Sequence, residues 1–133
     1  MMREIIRNAL LENAVIKNLV DEANFYTYRV PEQSAMQRDI IIYIDMLDVP
    51  MPYLYYDGEA HTEEHLTQIA VFAPAASYND WLKVNAAIRD VMLNRFRWKV
   101  RGGVDEFDDE YKVFHYAQRF EGTYKKGVDK LWQ

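Results

Sequence analysis

The chain contains no cysteine among its 133 residues. That excludes a disulfide framework, a thiolate zinc site, an iron–sulfur cluster and a thiol nucleophile. Stability must therefore come from packing. Glycine and proline are sparse, 5 and 4 respectively, and no glycine-rich phosphate loop, low-complexity segment or internal repeat is present. Long apolar runs are missing as well. The longest, residues 40–44, is far short of the roughly 20 residues that span a bilayer as a helix. Arg3, Glu4, Arg7, Glu12 and Lys17 interrupt the N-terminal region, so neither a secretion signal nor a membrane partner is expected. Positive charge is in deficit, with 16 Lys plus Arg against 21 Asp plus Glu and a net charge of −5. This is the wrong sign for a protein that coats nucleic acid over its whole surface.

What is present is apolar and aromatic material, 50% and 14% of the residues, enough for one packed core. The length allows a single domain, expected over residues 1–124, with 125–133 as a loose C-terminal tail. Ile5, Ile6, Ala9 and Leu10 recur at helical spacing from Met2 to about Asn13, and Ala14 to Val20 continues or kinks that helix. Asn24 to Val30 turns aromatic and β-branched and reads as a strand, and Pro31 to Arg38 as a polar loop. Asp39 to Leu47 alternates as a strand with one wholly apolar face. Val49 to Gly58 reads as a protruding hairpin tip, and Leu66 to Ala73 as the return strand.

Ser77 precedes an apolar stripe at Trp81, Val84, Ile88, Val91 and Met92, the pattern of a capped helix reaching about Arg95. Phe96 to Arg101 then alternates apolar and basic, a strand with a cationic outer face broken by Gly102-Gly103. The acidic stretch Asp105 to Glu110 reads as a loop and Tyr111 to Tyr124 as a long final strand. With hairpin-like links, the expected fold is α+β: a mostly antiparallel sheet of about four to five strands with two helices packed on one face.

The sharpest catalytic pattern is His61-Thr-Glu-Glu64-His65, an H-x-x-E-H sequence. Its zinc chemistry requires a helix, whereas the surrounding residues favour a strand that would hold the histidines about 13 Å apart. Solvated loop residues are the expectation, with the small zinc hydrolase as the reading from another class. Asp45 and Asp48 are oddly spaced and so would lie on opposite faces of a strand. Asp105, Glu106, Asp108, Asp109 and Glu110 lack the spacing of an EF-hand. No catalytic, metal or cofactor site is expected.

Contact surfaces are better marked. Arg95, Arg97, Lys99 and Arg101 form a basic stripe, expected to pair with the acidic stretch of this chain or of a neighbour, more than to bind single-stranded nucleic acid. Met51, Tyr53, Tyr55, Tyr56 and Asp57 on the hairpin tip are too apolar a group for an isolated tip and mark a protein contact.

Lys17-Asn-Leu-Val20, Phe25-Tyr26, Val30-Pro31-Glu-Gln33, the hydrophobic strand, Tyr56-Asp57-Gly58, Ala70-Val-Phe-Ala73 and the Ser77 helix follow in a set order. Over roughly residues 1–124 this order resembles the tail terminator, or tail-to-head joining, proteins of long-tailed bacteriophages. The resemblance implies a non-enzymatic virion subunit that forms a homohexameric ring at the head-proximal end of the tail tube. Such a ring ends tube polymerisation and joins tail to head. Its implied partners are the tail tube protein and the head–tail connector or stopper protein, with DNA passing through the lumen without specific binding. Assembly would take place in the host cytoplasm. A neck or head-completion protein of the same virion region is the nearest alternative.

Overall fold

Polar residues at Glu12 and Asn13 interrupt the first apolar stripe, and two helices form where one continuous helix would bury them. α1 spans Met2–Leu11 and α2 spans Ala14–Leu19. Asn13 caps α2, its side-chain oxygen accepting from the amides of Val15 at 3.0 Å and Ile16 at 3.2 Å, which satisfies donors that a helix start leaves open. The structure is a computed structural model. It describes residues 2–47, 51–56 and 59–125, with side chains for 2–47 and 64–124.

Among the described residues six strands form one sheet: β1 (Phe25–Tyr26), β2 (Ile41–Met46), β3 (Met51–Tyr56), β4 (Glu59–Pro74), β5 (Lys99–Asp108) and β6 (Val113–Lys125). The order is β1-β2-β4-β6-β5, with β3 also paired to β4. β4 is the backbone of the sheet. One of its sides pairs with β6 from Thr62 opposite Lys125 to Pro74 opposite Val113. Its other side takes β2 and, further along, β3. All these pairings are antiparallel; only β1 runs parallel to its neighbour β2.

The core lies between one sheet face and a helical layer. α4 (Tyr78–Asp90) continues as one wider π-helical turn over Val91–Arg95. Its stripe of Trp81, Val84, Ile88, Val91 and Met92 is buried, as the sequence spacing requires. From α1 come Met2, Ile6, Ala9 and Leu10, and from the sheet Ile42, Ile44, Ile69, Val71, Ala73 and Phe120. Ile42 stands opposite Val71 and Ile44 opposite Ile69, so cross-strand pairs carry the apolar layer. The fold is α+β, as expected. A short helix, α3 (Gln33–Met36), lies on the opposite face of the sheet, where Ala35 and Ile41 are buried.

Several local expectations change. The strand read over Asn24 to Val30 shrinks to β1, which runs parallel to β2; beyond it Tyr28 and Val30 stay 68% and 66% exposed. The polar loop after Pro31 contains α3. Ser77 stands at the start of α4 but makes no side-chain cap bond; the 3₁₀ turn Ala75–Ser77 before it lets the Tyr78 amide bond the Ala75 carbonyl instead. β4 begins at Glu59, well before Leu66, because β3 and β6 flank its first half. Gly102-Gly103 does not break the strand after Arg101. It forms a bulge, with the register to β6 shifting between Val100 and Gly103, and β5 continues through Asp108. Of the expected tail 125–133, only Lys125 is described, as the end of β6; residues 126–133 lie outside the described residues.

Candidate assembly surfaces

The basic stripe divides by burial. Phe96 and Trp98 turn inward and are 1% and 2% exposed. Trp98 donates its indole N–H to the Thr123 carbonyl at 3.0 Å and stacks on His65 at 5.9 Å. Arg97, held at φ 60, Lys99 and Arg101 face outward. Arg95 pairs with Glu12, in the turn between α1 and α2, at 3.0 Å and Arg101 with Glu121 of β6 at 2.6 Å. Neither reaches the acidic stretch, so the expected pairing within one chain does not occur among the described residues. The reason is geometric: the basic residues lie before and in the first part of β5, the acidic ones in its second part and the turn beyond.

The acidic stretch is not a simple loop. Asp105, Glu106 and Asp108 belong to β5, and Asp109 and Glu110 to the turn that leads into β6. All five are exposed. Asp108 Oδ1 accepts from the amides of Glu110 at 3.0 Å and Tyr111 at 3.1 Å, and Lys112 pairs with Asp109 at 2.9 Å. These bonds fold the turn and leave Lys112 at φ 58. No group of three or more metal-ligating side chains comes together among the described residues.

Beside this turn, on the face opposite the main helical layer, a pocket of about 310 Å³ opens. Phe72 and His115 stack across the β4–β6 pair at 4.5 Å on its floor, with Met36, Glu106, Phe107 and Asp108 around it. Burial holds the His115 imidazole below its ordinary value of 6.5, against the opposing pull of Glu106 and Asp105. The neutral ring is thus favoured in the fold, and below about pH 6.5 the unfolded chain binds more protons. His115 therefore contributes stability in full above its unfolded value, and that contribution is lost as pH falls towards the depressed folded value. Melting temperatures measured between about pH 7.5 and 5.5 should fall in the wild type and fall less in His115→Gln. Equal slopes in the two proteins would contradict this.

A second pocket, of about 220 Å³, lies between α4 and β5, with Tyr78, Leu82, Asp105 and Phe114 in its lining. Tyr78 and Leu82 are 42% and 44% exposed, and Phe107 nearby is 41% exposed. At the other edge of the sheet, beside β1, Tyr28 donates to Glu4 at 2.7 Å and lies under the Arg3 guanidinium at 4.9 Å, with its ring turned to solvent. Neither patch was singled out from the sequence. Tyr78 and Leu82 sit on the outward side of α4, and an outward apolar pair four apart was the available signal.

The H-x-x-E-H segment lies within β4, not on a helix. His65 is buried at 1% exposure and Glu64 is exposed, which corrects the expectation of solvated loop residues: pairing with β6 carries His65 beneath Trp98. The side chain of His61 and residue Asp48 lie outside the described residues. The hairpin tip is described only as backbone, with Met51, Tyr53, Tyr55 and Tyr56 in β3; their side chains and Asp57 lie outside the described residues. No helix among the described residues is long and apolar enough to cross a membrane. Compared with known proteins, the chain matches no family model, and no curated protein matches its sequence.

Proposed function

We propose that this chain is a structural subunit of a long-tailed phage, forming a hexameric ring at the head-proximal end of the tail tube. In this role it ends tube polymerisation and joins the tail to the head. The order of sequence segments that resembles tail terminators supports the reading. The structural observation that carries it is the placement of the two exposed apolar patches. Tyr28 and Val30 lie beside β1, and Tyr78, Leu82 and Phe107 beside β5, at opposite edges of one sheet. A head-to-tail ring needs two different surfaces on each subunit, whereas a two-fold dimer needs only one. Exposed apolar residues grouped in this way are characteristic of protein contacts.

The partners in this reading are further copies of the chain, the tail tube protein and the head–tail connector or stopper protein. The net charge of −5 suits a lumen through which DNA slides without specific binding. The finished ring resides in the virion, after assembly in the host cytoplasm, and the role involves no catalysis. Tyr78→Asp combined with Leu82→Asp tests it. The variant should keep the wild-type circular dichroism spectrum yet fail to complement a phage lacking this gene. Full complementation by a folded variant would remove the α4 patch from the interface.

A further inference from the structure

β5 is the outermost strand of the sheet, with β6 on one side and no strand on the other among the described residues. Its ten residues are all exposed except Val100, which is half-buried. A long unpaired edge invites pairing with another chain unless it is blunted. Charge of one sign would blunt it, but β5 carries both signs and sorts them along its length. Lys99 and Arg101 occupy its first part, with Arg97 just before; Asp105, Glu106 and Asp108 occupy its second part, with Glu110 just beyond. The bulge at Gly102-Gly103 separates the halves.

The bulge also sets which face each charge occupies. Lys99 is opposite Glu121, Glu106 opposite His115 and Asp108 opposite Val113. Those three β6 positions are all odd-numbered and therefore share one face. Arg101 joins them through its ion pair with Glu121. In a regular strand, the odd-numbered bases and even-numbered acids would point to opposite faces. The one extra residue of the bulge brings them onto the same face.

We propose that two copies of this chain join their sheets edge to edge, β5 running antiparallel to β5 about a two-fold axis at Val104, which faces Val104 of the second copy. Lys99 then faces Asp108 of the second copy and Arg101 faces Glu106 of the second copy. On the other face of the sheet Val100 meets Phe107 of the second copy, and just outside the strand Arg97 approaches Glu110. Each pair occurs twice by symmetry. Opposite charges and apolar partners directly across an antiparallel pair are stabilising, and like charges are destabilising. Centring the pairing on Asp105 or Glu106 instead would set that acid against its own copy, so charge selects the register. A parallel arrangement would set each basic residue against its own copy. The dimer does not depend on the ring reading. It uses the edge next to the Tyr78–Leu82 patch, so it competes with lateral ring contacts and holds free subunits apart.

Sedimentation equilibrium of the full chain tests the pairing. Dimers are expected at about 50 mM salt, with roughly tenfold weaker association at about 1 M, where charges are screened. K99D/R101E should be monomeric, and the fully exchanged K99D/R101E/E106R/D108K should dimerise again, with circular dichroism confirming that each variant folds. Val104→Cys reads the axis directly, because the chain has no other cysteine. The two Cα atoms would lie about 4.5–5.5 Å apart, as directly opposed residues of an antiparallel pair do, within disulfide range, so oxidation should join this variant far faster than Val30→Cys. A monomer at both salt concentrations would overturn the proposal. So would failure of the exchanged variant to recover, or cross-linking of Val104→Cys no faster than Val30→Cys.

Discussion

Trp81→Ala should lower the unfolding free energy by about 3–5 kcal/mol, the range seen when a large buried aromatic is truncated. Trp81 is 3% exposed and joins three parts of the structure. Its indole N–H donates to the Val71 carbonyl of β4 at 3.0 Å. Its ring meets Phe114 at 5.0 Å and Tyr116 at 6.3 Å on β6, and Tyr78 of its own helix at 5.8 Å. Removal opens a cavity between α4 and the sheet and takes away the packing that positions Tyr78. Trp81→Phe, which fills most of the space but cannot donate, should cost roughly 1 kcal/mol for the hydrogen bond plus a smaller packing loss. Urea titrations of the three proteins measure both. A loss below about 1 kcal/mol for Trp81→Ala would mean that α4 is not anchored as described.

The second large effect is expected at Gly103. A Cβ there would be driven into the Ala117 carbonyl oxygen and would also stand 3.2 Å from the Ala117 carbonyl carbon and the Gln118 Cα. These are backbone atoms of β6 and cannot rotate away, so β5 must move. Gly103→Ala should therefore cost about 3 kcal/mol and displace the β5 edge. Gly102 is a useful control. A Cβ there meets nothing, and only its φ of 93 resists substitution, at a cost of about 1 kcal/mol. Thermal melts should rank wild type above Gly102→Ala and Gly102→Ala above Gly103→Ala. Hydrogen exchange in the Gly103 variant should rise first in β5 and its pairing with β6. The reverse ranking would contradict the bulge geometry.

Local periodicity made the helical layer legible. The stripe from Trp81 to Met92 and the spacing of Ile6, Ala9 and Leu10 are short-range signals, and the structure buries those residues. Features that depend on distant partners were hidden. β1 reads as an ordinary strand, and its parallel pairing with β2 follows from where the chain returns after α3. Gly102-Gly103 reads as a stop because local conformation is all that a glycine pair reveals; β6 lies beyond it and resumes the ladder. His65 looks solvated in a polar segment, yet the length of β4 carries it under Trp98. The charged groups of the candidate surface were visible by type. Their arrangement along one open edge was not, because the bulge and the pairing with β6 decide it.

The central claim, a ring subunit that ends the tail tube and joins it to the head, is tested most directly by negative-stain electron microscopy. Lysates of a phage deleted for this gene would be imaged beside wild type. DNA-filled heads separated from unjoined tails, some of them abnormally long, are the predicted result. Normally joined, infectious particles in the deletion lysate would contradict it.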